Sequence, residues 1–140
     1  MPAVSKKFSD IMVGERAQFE INITEKLVDE FAKVSGDYNP LHTDEAYAKN
    51  SPLGGRIAHG MIAGALFSRL LGMYLPGEKC LYLSQSLFFR KPIRIGTEVI
   101  VLGEVQHKTD SLQALTIRTC VSNKQTSEAL VDGEAIVKML

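Results

Sequence analysis

An acid and an imidazole lie five positions apart in the segment SGDYNPLH, residues 35–42. The Asn39-Pro40 pair between them favours a turn, because a proline disfavours helical geometry at the residue before it. Such a turn can bring Asp37 and His42 to one point. Two groups with different pKa values that hold one water can hydrate a double bond reversibly. The simpler interpretation, in which Asp37 caps the turn and His42 is an ordinary loop histidine, stays open from this segment alone.

A second motif, GGRIAHGM at residues 54–61, leads into a long apolar stretch. If a helix begins there, the backbone N–H groups near Gly60 belong to its first turn and lack an acceptor within the helix. Such groups stabilise a carbonyl oxygen that becomes an enolate, as in a thioester attacked at its β-carbon. A glycine at position 60 lets the substrate approach the backbone. His59 is interpreted as a support for this helix entrance, and Met61 as part of the pocket wall.

Gly60, Gly64 and Ser68 are spaced by four and therefore lie on one face of the predicted helix. For Gly64, lining of the substrate pocket and close packing of the helix against a sheet are equally good explanations. Ser68 differs, because a buried hydroxyl needs a hydrogen-bond partner, either a backbone carbonyl or the acid of the site. We predict that Ser68 and Asn39 support the active site.

The elements that must position these residues follow from periodicity and capping signals. Residues 17–23 alternate as a strand does, and Thr24 fits the N-cap of a helix over residues 25–36. Gly36 is a natural stop for that helix. Its predicted apolar side consists of Leu27, Val28, Phe31, Ala32 and Val34.

Residues 37–56 contain two prolines and two glycines and are predicted as a long excursion, with a short helical pattern in DEAYAKN. Residues 57–75 are predicted as a buried helix that ends at Pro76-Gly77. Four strands are predicted after it, at 81–90, 97–106, 113–122 and 127–139. Hairpins between consecutive strands produce an antiparallel sheet.

This order of elements predicts a single domain, residues 1–140, of the α+β class. Its fold is a hotdog, in which a curved antiparallel sheet of about five strands wraps around a long central helix. The helix is apolar around most of its circumference, and a five-stranded sheet covers only part of it. We therefore expect a homodimer, in which two sheets join or two helices face each other.

Composition argues against several classes of protein. The 16 basic and 16 acidic residues cancel, which disfavours a nucleic-acid partner. Cys80 and Cys120 form no CxxC pair and have no histidine at metal-ligand spacing, so neither a metal site nor a disulfide is predicted. The N-terminus lacks the apolar run of a secretory signal, which predicts a cytoplasmic protein. The apolar stretch 57–75 nearly reaches the length of a membrane span but contains ionisable residues, so protein and not membrane is expected around it.

The motifs SGDYNPLH, GGRIAHGM, ALFSRLLGMYLPG, QSLFFRKPIRIG and GEAIVKML together resemble the MaoC-like (R)-specific enoyl-CoA hydratases, especially the short PhaJ type. The similarity runs from about residue 8 to the end of the chain. The two motifs that carry the candidate chemistry are far more specific as a pair than either is alone.

The resemblance implies a hotdog dimer that adds water reversibly and syn to trans-2-enoyl-CoA, giving (3R)-3-hydroxyacyl-CoA. It places the family's acid at Asp37, its histidine at His42, its oxyanion-hole amide at Gly60 and its active-site serine at Ser68. No metal or redox cofactor is implied, since CoA is part of the substrate. We assign Asp37 as the base toward water and His42 as its co-ligand and proton shuttle, while the order of proton transfer stays open.

Three other functions fit the same fold. A dehydratase acting on acyl carrier protein thioesters would use the same residues. A hotdog thioesterase would attack the carbonyl carbon and is expected to place its acid elsewhere. A non-catalytic acyl-binding subunit is expected to lose Asp37, His42 or Gly60, and all three are present. Chain-length preference and pathway, whether polyester precursor supply, fatty-acid oxidation or a butyrate-type route, are left open.

Overall fold

Alternating apolar residues build the strands of the C-terminal half, because successive side chains of a strand point to opposite faces of the sheet. The computed structural model describes residues 1–140. Along Glu98–Thr109, for example, Val99, Val101 and Val105 are buried. In chain order the elements are β1 (Arg16–Asn22), α1 (Glu25–Ser35), α2 (Pro40–Thr43), α3 (Glu45–Lys49), α4 (Ile62–Met73), β2 (Cys80–Gln85), β3 (Phe88–Phe89), β4 (Glu98–Thr109), β5 (Ala114–Asn123) and β6 (Ala129–Met139).

The strands form one antiparallel sheet in the order β1-β4-β5-β6-β2, and the short β3 also pairs with β6. Helix α4 packs against this sheet, so the predicted α+β class and hotdog arrangement are confirmed. The sheet has six strands where about five were predicted. The additional strand arises because the predicted strand 81–90 is divided into β2 and β3.

Ser86 causes this division. Its N–H donates to the carbonyl of Glu134 at 2.9 Å, and its Oγ accepts the N–H of Glu134 at 2.8 Å. A side-chain oxygen thus takes the place of a backbone carbonyl in the ladder, and the strand does not continue regularly. A Cβ on the facing Gly133 would lie 1.8 Å from the Ser86 carbonyl oxygen, so this close approach requires glycine.

Helix α1 begins and ends where its capping residues predict. Thr24 Oγ1 accepts the N–H of Leu27 at 3.1 Å, and Gly36 ends the helix in the left-handed conformation with a φ of 76°. The assignment of Val34 to the apolar side of this helix is wrong, because Val34 is 82% exposed. Val34 follows the buried Ala32 by two positions, so the two side chains point in directions about 200° apart around the helix axis.

The predicted helix over 57–75 is too long at both ends, since α4 covers only Ile62–Met73. Ile57 forms an antiparallel bridge with Arg94, and this pairing keeps the chain extended before the helix starts. No helix of the structure combines the length and the apolar character that crossing a membrane requires.

One side of α4 lies against the sheet. Gly103 of β4 permits the contact, because a Cβ there would lie 2.9 Å from Leu70 Cδ2. The opposite side, which includes Ala65 and Ser68, is exposed, so the sheet covers only part of the helix, as predicted. The buried residues of α4 are Ile62, Ala63, Leu66, Phe67, Leu70 and Leu71.

Candidate active site

Two side-chain caps shape the loop between α1 and α2. Asp37 Oδ1 accepts the N–H of Asn39 at 3.1 Å, and Asn39 Oδ1 accepts the N–H of Leu41 at 3.0 Å. Asn39 is the N-cap of α2, with Pro40 in the first turn. This short helix carries His42 back toward Asp37. Asn39 therefore shapes the loop through its backbone contacts.

Backbone carbonyls select the tautomers of the neutral His42 and His59 rings. His42 Nδ1 lies 2.8 Å from the carbonyl oxygen of Ile57, and His59 Nε2 lies 2.8 Å from that of Asp37. A carbonyl only accepts, so in the neutral ring the nitrogen facing it carries the hydrogen. His42 consequently presents Nε2 as a free acceptor. His59 is 2% exposed, and its Nδ1 has no hydrogen-bond partner.

These contacts bring three functional side chains together. One ligand atom each from Asp37, His42 and His59 lies within 4.8 Å of the others. The rings of His42 and His59 are in tilted contact, with centroids 4.0 Å apart and an interplanar angle of 31°. The ring of Phe31 also contacts His59, with centroids 4.9 Å apart. The arrangement joins an exposed carboxylate to an imidazole acceptor, which suits proton transfer through a shared water.

The same three residues also have the donor types of a divalent metal site. Nδ1 of His42 and Nε2 of His59 face backbone carbonyls, so Nε2 of His42 and Nδ1 of His59 are the nitrogens that an ion could use. The metal-free expectation from the sequence stays a prediction.

Gly60 lies in the turn immediately before α4 and not in its first helical turn. The helical pattern starts with hydrogen bonds from Ile62 to His59 and from Ala63 to Gly60. The N–H of Gly60 takes part in no intrachain hydrogen bond and so keeps the property that the oxyanion prediction requires. The structure adds a second reason for glycine, since a Cβ at this position would lie 2.7 Å from Cδ1 of Phe89.

The small residues Gly60, Gly64 and Ser68, which were predicted to share one helix face, have a different environment from the one predicted. Ser68 is exposed and its hydroxyl has no hydrogen bond within the chain, so the expectation of a buried, partnered serine is wrong for the single chain. It lies on the side of α4 turned away from the sheet. Gly64 is half-buried, and a Cβ there would contact Leu87 at 3.7 Å. Gly60 and Gly64 therefore lie against the β2–β3 segment.

A cavity of about 460 Å³ opens beside the histidines. Its volume lies within the usual range of about 300–1,000 Å³ for small-molecule sites. The cavity reaches His42, Gly60 and Met61, and its remaining wall is mostly apolar. Asp37 is exposed and does not line it, so the acid borders the site from the solvent side of the isolated chain.

Two cations at the edge of the cavity already have acidic partners. Arg90 bonds Asp132 at 3.0 Å, and Lys91 bonds Glu128 at 2.6 Å. The Asp132 carboxylate raises the pKa of Arg90 through its hydrogen bond and its charge. On β2, burial raises the pKa of Tyr82 to about 12.

Sequence reasoning missed two contributors to the site. Phe89 covers Gly60, and no pattern in the sequence predicts this contact. Arg56 has no distinguishing signal within its own motif, yet it is only 8% exposed and donates to the carbonyl oxygen of His42 at 2.6 Å. The sequence does contain one indication of this contact. Glu25 and Asp29 are acids one helical turn apart, and their paired charge favours a nearby cation.

Comparison with known proteins assigns the family. The chain matches the model of the MaoC-like domain over residues 10–128 and belongs to that family. It is 40% identical to the 3-hydroxybutyryl-CoA dehydratase of Methylorubrum extorquens, with 94% of this chain and 83% of the relative covered. It is 39% identical to the (R)-specific enoyl-CoA hydratase of Aeromonas caviae, with 91% and 94% covered. The solved structure of the R-hydratase PhaJ1 from Pseudomonas aeruginosa matches with a TM-score of 0.90 at 38% identity, covering 94% of this chain and 84% of that one.

Proposed function

We propose that this chain is an (R)-specific enoyl-CoA hydratase, a hydro-lyase that adds water reversibly and syn to trans-2-enoyl-CoA to form (3R)-3-hydroxyacyl-CoA. One observation carries the proposal: an imidazole nitrogen of His42 lies within 4.8 Å of a carboxylate oxygen of Asp37, beside a cavity that also reaches Gly60. The names of the two relatives, a hydratase and a dehydratase of acyl-CoA thioesters, support the same chemistry.

In the proposed reaction the Asp37 carboxylate and His42 Nε2 hold one water. Asp37 accepts a proton from it as the water oxygen bonds to C3, and the electrons of the double bond move toward the thioester oxygen. The N–H of Gly60 donates to that oxygen while it carries enolate charge. The proton taken up by Asp37 then passes through Nε2 of His42 to C2 on the same face, which restores the carboxylate, and hydrogen and hydroxyl add syn. Water supplies both groups, and the balance needs no cofactor.

The test is a spectrophotometric assay with crotonyl-CoA. Loss of the enoyl-thioester absorbance, followed by oxidation of the product only by a dehydrogenase specific for the (3R) isomer, is the expected result. Oxidation by a (3S)-specific enzyme would contradict the assigned stereochemistry. Release of free CoA thiol without hydration would identify a thioesterase, and full activity after dialysis against a chelator is expected for a metal-free enzyme.

The proposal includes a homodimer. Strand β2 ends the sheet, and two of its leucines, Leu81 and Leu83, are about half exposed at 50% and 55%. A free, apolar strand edge is a surface that a second strand can cover. Phe88 and Met61 extend the apolar surface toward the cavity, at 52% and 55% exposure. A second copy on this edge would also cover the exposed side of α4 that carries Ser68.

The carrier, location and pathway complete the proposal. We assign CoA as the carrier, and comparing kcat/KM for one acyl group on CoA and on acyl carrier protein tests this against the dehydratase alternative. We place the protein in the cytoplasm, since Cys80 and Cys120 are free thiols. Supply of (3R)-hydroxyacyl-CoA for polyhydroxyalkanoate is the pathway proposed, and coexpression with a polymer synthase in a host that lacks the hydratase would test it.

A further inference from the structure

Arg56 is the most buried cation of the chain, with 8% of its surface exposed, and each end of its guanidinium has a partner. Nη1 donates to Glu25 Oε1 at 2.6 Å, and Nη2 donates to Asp29 Oδ1 at 2.7 Å. Nε donates to the backbone carbonyl of His42 at 2.6 Å. One side chain thus connects α1 to the residue that carries the candidate catalytic imidazole.

The contact with His42 belongs to a closed set of hydrogen bonds. The N–H of Ile57 donates to the carbonyl of Leu41 at 3.2 Å, and the ring of His42 donates back to the carbonyl of Ile57 at 2.8 Å. The backbone and the ring of His42 are therefore both bonded to the dipeptide Arg56-Ile57. A shift of the His42 backbone would also change the Nδ1–H contact that leaves Nε2 free.

We propose that Arg56 is a positioning residue that holds the His42 ring in its tautomer and orientation for the catalytic water. This inference rests on the proposed hydratase function for its kinetic part. Arg56 does not touch the substrate in this role and acts only through His42. The acids of α1 serve it by neutralising and orienting the guanidinium, which would otherwise be a buried unpaired charge.

The alternative is that Arg56 only fastens α1 to the rest of the protein. The two roles separate because a guanidinium has a fixed fork of donors and a lysine ammonium does not. Arg56→Lys keeps a cation beside Glu25 and Asp29 but removes the Nε–H that reaches His42. Glu25→Gln with Asp29→Asn weakens the attachment to α1 and leaves that N–H in place.

With crotonyl-CoA, Arg56→Lys is expected to lower kcat by about 10- to 100-fold with KM within about twofold, since small displacements of a catalytic group reduce rate more than binding. The Glu25→Gln/Asp29→Asn variant is expected to lower Tm more than Arg56→Lys does, with a smaller loss of kcat. Arg16→Lys is the matched control, because Arg16 Nε also bonds an acceptor, Glu104, at 2.6 Å, but on the surface. It should leave kcat unchanged.

Nitrogen-15 NMR of the imidazole rings tests the positioning role independently of enzyme activity. The chain has three histidines, so imidazole 15N signals can be assigned with one His42→Gln sample. At about pH 8.5, neutral wild-type His42 should show a protonated Nδ1 and an unprotonated Nε2. In Arg56→Lys the two shifts should approach each other as the tautomers mix.

The kinetic and the 15N measurements together distinguish the ways in which the inference can fail. Unchanged His42 15N shifts in Arg56→Lys, or a kcat within twofold of wild type, would overturn the positioning role. A kcat loss that is larger in the acid variant than in Arg56→Lys would also overturn it, in favour of simple attachment of α1. If wild-type protein does not hydrate enoyl thioesters, the proposed function fails, while the 15N comparison still decides whether Arg56 sets the His42 tautomer.

Discussion

At the scale of single residues, backbone carbonyls determine how the two histidines of the site are used. The carbonyl of Ile57 faces Nδ1 of His42, and the carbonyl of Asp37 faces Nε2 of His59. Each contact selects one tautomer, which leaves Nε2 of His42 and Nδ1 of His59 without a partner. His42 lines the cavity, whereas His59 is buried, bonds the backbone of the acid and packs against the His42 ring. The two histidines are therefore chemically distinct despite their proximity.

The first prediction concerns the pair that holds the water. Asp37→Asn and His42→Gln should each lower kcat by on the order of 10²–10⁴, because each removes a group that exchanges protons with the water. Steady-state kinetics with crotonyl-CoA and circular dichroism would separate lost chemistry from lost fold. His107→Gln is the control, since His107 is exposed on β4, remote in sequence from the motif. Near-normal turnover in either active-site variant would show that the pair is wrongly assigned.

At the scale of elements, the contact of α4 with the sheet determines where the site lies. Gly103 lets the helix approach β4, and just before the helix begins Phe89 covers Gly60. The strand break at Ser86 places β3 where its phenylalanines can reach the start of α4. The cavity thus lies between the entrance of a helix and a short strand, and neither element alone forms it.

The second prediction tests the close approach of helix and sheet. Gly103→Ala should lower the free energy of unfolding by about 1–3 kcal/mol, because its Cβ would overlap the buried Leu70 side chain. The loss should be much smaller when Leu70→Ala is already present, although that change is itself destabilising. Urea denaturation measures both. Gly72→Ala is the control, since nothing lies within 4 Å of its Cβ position in α4, and equal costs at the two glycines would refute the packing argument.

At the scale of the whole molecule, the cavity volume sets the range of substrates. The walls near the candidate catalytic groups include Met61 and Phe89, and Leu87 closes on Gly64. We therefore predict preference for short to medium enoyl chains, with kcat/KM falling for longer ones because the space beside the histidines is limited. A series of enoyl-CoA substrates from four to sixteen carbons tests this. A rate that still rises beyond about twelve carbons would contradict the prediction.

Assembly provides the last prediction. A dimer should be visible by light scattering at micromolar concentration, since one sheet edge carries exposed leucines and one side of α4 is left uncovered in the single chain. Leu81→Lys should weaken it, and Leu112→Lys, at another exposed apolar residue, should not. Asp37, His42 and Gly60 meet within one chain, so co-refolded Asp37→Asn and Gly60→Val proteins should recover no activity. Recovery of roughly a quarter of wild-type activity, from one intact site in half of the dimers, would instead place Asp37 and Gly60 of one site on different chains. A fully active monomer would show that the site needs no second chain.

The sequence by itself determined those features that depend on neighbouring residues. Thr24 and Gly36 bound α1 because caps act over a few positions, and alternating side chains predicted the long strands. The paired motifs around His42 and Gly60 were sufficient to indicate the family. The order of the elements was sufficient for the antiparallel α+β fold.

Only the tertiary structure decided the features that depend on distant contacts. The pairing of Ile57 with Arg94 delays the start of α4, although the apolar pattern favours helix from residue 57. Ser68 is exposed because the sheet covers the other side of its helix, and a repeat of small residues cannot show which side that is. Arg56 is buried because acids 27 and 31 positions away fold onto it. Such contacts are chosen by the packing of whole elements, for which no local pattern in the chain provides a signal.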